Sequence, residues 1–284
     1  MKHSIVLLAL SLVVSSTALA HHAPGHGVSE GVRTINSLGR RGASAQTRLL
    51  WLNEMSTTST SPSPGDTYSS SLYAEWAPWP EFSVGLQTPL LMVREFDQPI
   101  QAGYGDTRVA LRYTPHADKL IHRVFTLGLS LSIPTRTLKL TVDPGAVWKG
   151  TLNVLFTRTY NQLFWQIMGL ATIDTRPAGV GIDGGSGFQI GLRTKDKKIS
   201  IGAGVLGELR LLNLCKQPQG NTLVCDGSRA GEASRDVGAL RSHAVVTLAA
   251  NLLKNSRIVG SVLLPLTSVA DFDVATSLGW EMFF

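Results

Sequence analysis

Beyond its first twenty residues this chain holds no run of the roughly 18 consecutive apolar residues that a membrane-spanning helix needs. Apolar residues recur instead at every second position. In Arg123–Ile133 the odd positions include Phe125, Leu127, Leu129, Leu131 and Ile133, and the even ones Thr126, Gly128, Ser130 and Ser132. Ile199–Leu211 sets Ile199, Ile201, Ala203, Val205, Leu209 and Leu211 against Ser200, Gly202, Gly204, Glu208 and Arg210. Phe272–Phe284 places Phe272, Val274, Thr276, Leu278, Trp280, Met282 and Phe284 on one face. A period of two is that of a β-strand, whose successive side chains point to opposite faces. About a dozen segments read this way, among them Phe82–Met92, Thr107–Tyr113, Ala146–Arg158 and Phe188–Arg193; those near Leu49 and Phe164 are ambiguous.

The chain is 43% apolar and only 16% charged, against about a quarter charged in a soluble domain, and its mean hydropathy is +0.11. High apolar content without apolar runs is what a membrane barrel produces, although a large soluble β-protein shares the pattern. The connections add a second signal. Glu54–Thr67, Val93–Ala102, Thr135–Gly145, Asp174–Gly185 and Leu212–Arg235 read as long loops. Pro78–Pro80, Tyr160–Asn161, Lys195–Lys198 and Lys254–Ser256 read as tight turns, with Pro115–His122 longer and Thr267–Asp271 short. Long loops alternating with tight turns are expected of an outer-membrane barrel, with both termini on the periplasmic side. The expected fold is therefore all-β: a closed antiparallel up-and-down transmembrane barrel of about 12 strands. Closure has a physical cause, since lipid offers no water to an unpaired strand edge.

Residues 1–20 have the layout of a secretory signal peptide: Lys2, an apolar Ile5–Val14 and an Ala18-Leu19-Ala20 cleavage site. Residues 21–42 then form a periplasmic leader and 43–284 the barrel. In the leader, His21, His22 and His26 with a new terminal amine suit Cu(II), Ni(II) or Zn(II); the plainer reading is a polar leader without metal. Cys215 and Cys225 bracket a polar stretch and read as a disulfide in an exported chain, because two cysteines alone seldom complete a zinc site. The positive charge, +6 over the whole chain, is spread along its length and points to no nucleic-acid partner.

By alternation Arg48, Glu75, Arg108, Arg112, Lys149, Arg193, Glu208, Arg210 and Glu281 point inward, since a charge on the lipid face costs about 2–4 kcal/mol near the midplane. They either pair across strands and fill a narrow barrel or line a polar pathway whose arginine excess favours anions. Trp76, Trp79, Tyr113, Trp148, Trp165 and Trp280 suit an interfacial girdle, or, taken singly, ordinary packing. His116, His122 and His243 are scattered and no nucleophile stands beside a base, so no enzyme is expected.

Two segments resemble a family. Gly103-Tyr104-Gly105-Asp106-Thr107-Arg108-Val109-Ala110-Leu111-Arg112-Tyr113 is similar to a strand opening in outer-membrane proteins of the phenol-degradation MetA-pathway transporter-like group. Leu127–Thr135 resembles that family's following strand, departing with Ile133 and Arg136 where the family has Leu and Gly. The closing Leu278–Phe284, through Trp280, Met282 and Phe284, resembles the alternating aromatic-ended signal read by the barrel-assembly machinery. The resemblance implies a twelve-strand barrel, transfers no catalytic residue and calls for no cofactor. The function expected is a passive channel for small solutes, with outer-membrane lipids and the assembly machinery as partners. A non-conducting barrel presenting surface loops for binding or adhesion is the alternative.

Overall fold

A computed structural model describes residues 44–58, 65–95, 99–118, 123–138, 148–176, 179–216, 222–224, 237–238, 240–267 and 272–284. The expected signal peptide, the expected leader with His21, His22 and His26, and Cys225 of the expected disulfide lie outside these residues, as does the side chain of Cys215.

The described chain forms β1 (Arg48–Thr58), β2 (Gly65–Trp79), β3 (Phe82–Glu95), β4 (Gln101–Tyr104), β5 (Thr107–Asp118), β6 (Arg123–Ile133) and β7 (Trp148–Tyr160). It continues with β8 (Leu163–Arg176), β9 (Gly179–Arg193), β10 (Ile199–Lys216), β11 (Thr222–Val224), β12 (Leu240–Leu253), β13 (Ser256–Pro265) and β14 (Val274–Phe283). Twelve of these form a closed antiparallel ring, because β14 pairs with β1 as well as with β13 and β9 pairs with β10. The short β4 lies on β3, and β11 folds back along the end of β10. Each ring strand has two neighbours, so the barrel has no open edge.

Alternation decides which way each side chain points. Trp51, Leu72, Leu86, Leu129, Leu152, Ile167, Phe188, Ile201, Leu248 and Leu278 are exposed on the outer face. Their strand neighbours Leu52, Ser71, Gln87, Ser130, Thr151, Met168 and Gln189 are buried inside. The six aromatics expected in a girdle all lie on the outer face, exposed except for the half-buried Trp165.

Tight turns close one end of the ring, called here the terminus end because β1 begins and β14 ends there. Asn161, at φ 53°, turns β7 into β8, and Lys197, at φ 58°, helps turn β9 into β10. In the second turn the Thr194 hydroxyl and the Lys198 amide donate to the Asp196 carboxylate, which holds it below the usual carboxylate range.

Several segments differ from the sequence reading; the expected loops Glu54–Thr67 and Val93–Ala102 are shortened, since β1 runs to Thr58, β2 begins at Gly65 and β3 runs to Glu95. The expected loop Asp174–Gly185 is the paired start of a hairpin, with β8 running to Arg176 and β9 beginning at Gly179. The run of Gly179, Gly181, Gly184, Gly185 and Gly187 hides the alternation, since glycine has no side chain to mark a face. The expected Pro115–His122 connection is shortened because β5 continues to Asp118 across a bulge between Tyr113 and His116. β10 likewise runs on to Lys216, five residues past the expected end at Leu211. Phe272, expected outward in the closing strand, is buried; β14 starts only at Val274, and the bend before it breaks the parity.

The interior also departs from the wholly wet, polar lumen that alternation suggests. Val124, Leu155, Met168, Leu170, Leu206, Val245, Leu263, Phe272 and Ala275 form one buried apolar layer reaching from β6 round to β14. Val124, Leu206, Leu263 and Ala275 are wholly screened from water.

Candidate functional site

At the terminus end, β13, β14, β1, β2, β3 and β5 each contribute one inward polar residue at matching height. Register sets them: Arg257 stands opposite Glu281, Arg48 opposite Glu75, and Ser83 opposite Arg112. Arg48 donates to Glu75 and to Glu281, each at 2.6 Å, and Arg257 Nε donates to Glu281 at 2.5 Å. Arg112 Nε lies 3.7 Å from Glu75, which also accepts from the Ser83 hydroxyl at 2.5 Å and the Tyr73 hydroxyl at 3.0 Å. The Arg48 guanidinium lies over the Tyr73 ring and that of Arg257 over Phe283. Among the described residues three arginines face two glutamates in this belt, an excess of one positive charge.

A second network sits on the opposite wall toward the far end, on β8, β9, β10 and β12. Arg210 contacts Asp183 at 2.7 Å and Asp174 at 3.5 Å, while Arg241 reaches Asp183 at 3.6 Å and Glu208 at 3.9 Å. Two arginines meet three carboxylates here, and Lys149 stands opposite Asp174 in the register. Between the networks runs a neutral ladder. The Thr157 hydroxyl donates to Gln166 at 3.2 Å, Gln166 donates to Gln189 at 2.8 Å, and Gln189 donates to Thr247.

Inward glycines make room for this layout. A Cβ at Gly85 would overlap the Tyr73 ring, and one at Gly202 would press on Gln189 and Thr247. At Gly181 it would meet Arg210 and Asp174, and at Gly191 the Phe164 ring. Large side chains thus lie flat along the wall over a glycine on a nearby strand, instead of projecting across the lumen.

Of the nine inward charges expected from sequence, Arg48, Glu75, Arg112 and Glu281 meet in the first network, and Glu208 and Arg210 in the second. Lys149 lies on the inner face opposite Asp174 of the second network, while Arg108, opposite Gln87, and Arg193 lie on the inner face apart from both. Arg257 also faces inward, a position signalled by its parity with Val259 and Ser261. Asp174 and Asp183 lie in the glycine-rich hairpin where alternation is hidden, and Arg241 follows the long Leu212–Arg235 segment at the start of β12. His243 is buried and stacks on Phe272 with centroids 4.7 Å apart, whereas the His116 side chain and His122 lie outside the described residues. Trp280 and Phe284 are exposed on the outer face, with Trp280 opposite Trp51.

No family model matches the chain, and no curated protein matches it by sequence. Solved structures do. An outer-membrane channel of the COG4313 group from Pseudomonas putida F1 superposes with a TM-score of 0.60 at 11% identity, over 84% of this chain and 96% of that one. The fold is that of the outer-membrane barrels. The transport unit of the autotransporter AIDA-I from Escherichia coli aligns with a TM-score of 0.52 at 8% identity, over 84% of this chain and 89% of that one. A KdgM porin aligns at 12% identity with a TM-score of 0.45, over 84% of this chain and 99% of that one.

Proposed function

We propose that this chain is a narrow channel of the outer membrane, exported behind residues 1–20 and passive toward small solutes. The observation that carries the reading is the two-sided wall. Exposed Leu, Ile, Val and aromatic side chains recur on the outer face of strand after strand, far more apolar surface than a water-soluble monomer shows. The inner wall holds the paired charges and amide ladder that lipid would reject. The similarity to the COG4313 channel supports the same reading at the level of fold. Membership of the phenol-degradation MetA-pathway group, suggested by Gly103–Tyr113, is the finer form of the proposal.

Arg112 is the member of the terminus-end belt that keeps contact with solvent, its side chain 21% exposed while that of Glu75 is fully buried. It therefore faces any passing ion, and the belt's excess positive charge favours anions. The test is single-channel recording in planar bilayers under a salt gradient. The wild type should conduct with a reversal potential on the anion side, and Arg112→Glu should move it toward cations. Assembly should survive, because Arg48 still bonds Glu75. The buried apolar layer favours a second reading, a non-conducting barrel that presents its loops. Silent bilayers from correctly folded protein would establish that reading and end the first.

A further inference from the structure

We infer that the outer face of β6 and β7 at the terminus end holds a binding site for the phosphodiester of an anionic glycerophospholipid. The inference rests on the membrane reading above. Arg123 and Arg158 stand directly opposite each other in the β6–β7 register. Both share the outward parity of their strands, with Leu129, Leu131, Leu152 and Tyr160. Side chains so paired have Cβ atoms about 4.5–5.5 Å apart, and like charges there repel. Neither guanidinium forms an ion pair or hydrogen bond among the described residues, and Arg123 Nε is shielded from water with no acceptor. On the other side, the backbone partner of Arg123 is Asp118 of β5.

Their surroundings grade as a bilayer does. The arginine row includes Trp165, opposite Arg158. The next row toward the middle holds Phe125 opposite Phe156, whose ring packs tilted on Trp165 with centroids 5.2 Å apart. Beyond it come Leu127 opposite Val154 and Leu129 opposite Leu152. Charge, then aromatic, then aliphatic is the order from headgroup to acyl chain. Two planar guanidiniums side by side match the oxygens of one phosphodiester, each able to give paired donors. A phospholipid with its phosphate between Arg123 and Arg158 and its chains over Phe125, Phe156 and Leu129 relieves the repulsion and supplies the missing acceptor.

The test is native mass spectrometry of the folded full-length barrel, stripped of lipid in detergent and titrated with phosphatidylglycerol. The wild type should retain the lipid, and Arg123→Gln/Arg158→Gln should bind it about tenfold more weakly, as losing charge-assisted hydrogen bonds implies. Lys195→Gln/Lys197→Gln, the same charge change in the β9–β10 turn, should retain it as the wild type does. Equal retention by the arginine variant and the wild type overturns the site. Displacement of the lipid by millimolar inorganic phosphate also overturns it, since the pair would then be taking free phosphate. Heat-modifiable migration checks that each variant is folded. Protein that migrates normally and enters vesicles but shows no arginine-dependent lipid refutes this site alone, whereas protein that never enters vesicles refutes the membrane reading with it.

Discussion

Glu281 accepts from two arginines at once, Arg48 and Arg257, in a site where its side chain is 2% exposed. Removing its charge takes a buried carboxylate from both Arg48 and Arg257, although Arg48 keeps Glu75. Breaking a buried pair by deleting one partner costs about 3–5 kcal/mol, because the charge left behind has neither water nor counter-ion. Glu281→Gln should therefore lower the urea midpoint of the folded barrel far more than Ser261→Ala, which breaks a neutral 2.7 Å hydroxyl contact to Ser277. Gly85 makes a sharper case. Its missing side chain is the space in which the Tyr73 ring lies, so Gly85→Val drives Tyr73 off the wall and away from Glu75. A conductance trace should show a smaller or noisier open state in that variant, while a Val at Gly169, where a Cβ meets nothing within 4 Å, should leave it unchanged.

On a strand, adjacent residues meet opposite surroundings, and β5 shows how completely. Arg112 lies over the lumen beside Glu75, while Leu111 and Tyr113 are exposed on the outer face. Leu111→Arg puts a charge against lipid at a cost of about 2–4 kcal/mol near the midplane. Folded yield by heat-modifiable migration should fall for Leu111→Arg and hold for Arg112→Gln; the reverse would put the strand's faces the other way round. Period two made this legible in β5, β6 and β14, where every alternate side chain is large. The same rule failed over Gly179–Gly187, where small residues leave one face blank, and at Phe272, where a bend resets parity just before β14. Inward charges were legible one at a time, but their grouping was not, because it depends on register between strands up to 233 residues apart. Arg48 and Glu281 are partners only because the ring closes. Deleting Phe284, whose amide donates to the Thr47 carbonyl at 3.1 Å beside that seam, should reduce surface levels of the barrel while leaving export unaffected.

Taken as a whole, the molecule opposes an arginine-rich belt at the terminus end to a carboxylate-rich cluster on the far, opposite wall, with an apolar layer between them. The arginines of the belt draw anions to the terminus-end mouth. The layer decides whether those ions cross, since an ion sheds its water only where polar groups replace it. Phe272 is the point at which that layer can be tested without breaking the ring. It lies outside the strands, packs its ring on His243 and shares the layer with Leu263 and Ala275. Phe272→Ala removes an aromatic ring while sparing every ladder hydrogen bond. Truncating a buried Phe costs about 3–5 kcal/mol in a closed core, less where water can fill the space. If the layer is the constriction of a channel, this variant should still fold and its single-channel conductance should rise well above the wild type's. If the conductance stays the same while the barrel is measurably destabilised, Phe272 is structural filling and ions pass by another route. If wild type and variant are both silent in folded protein, the layer seals the barrel and its loops carry the function.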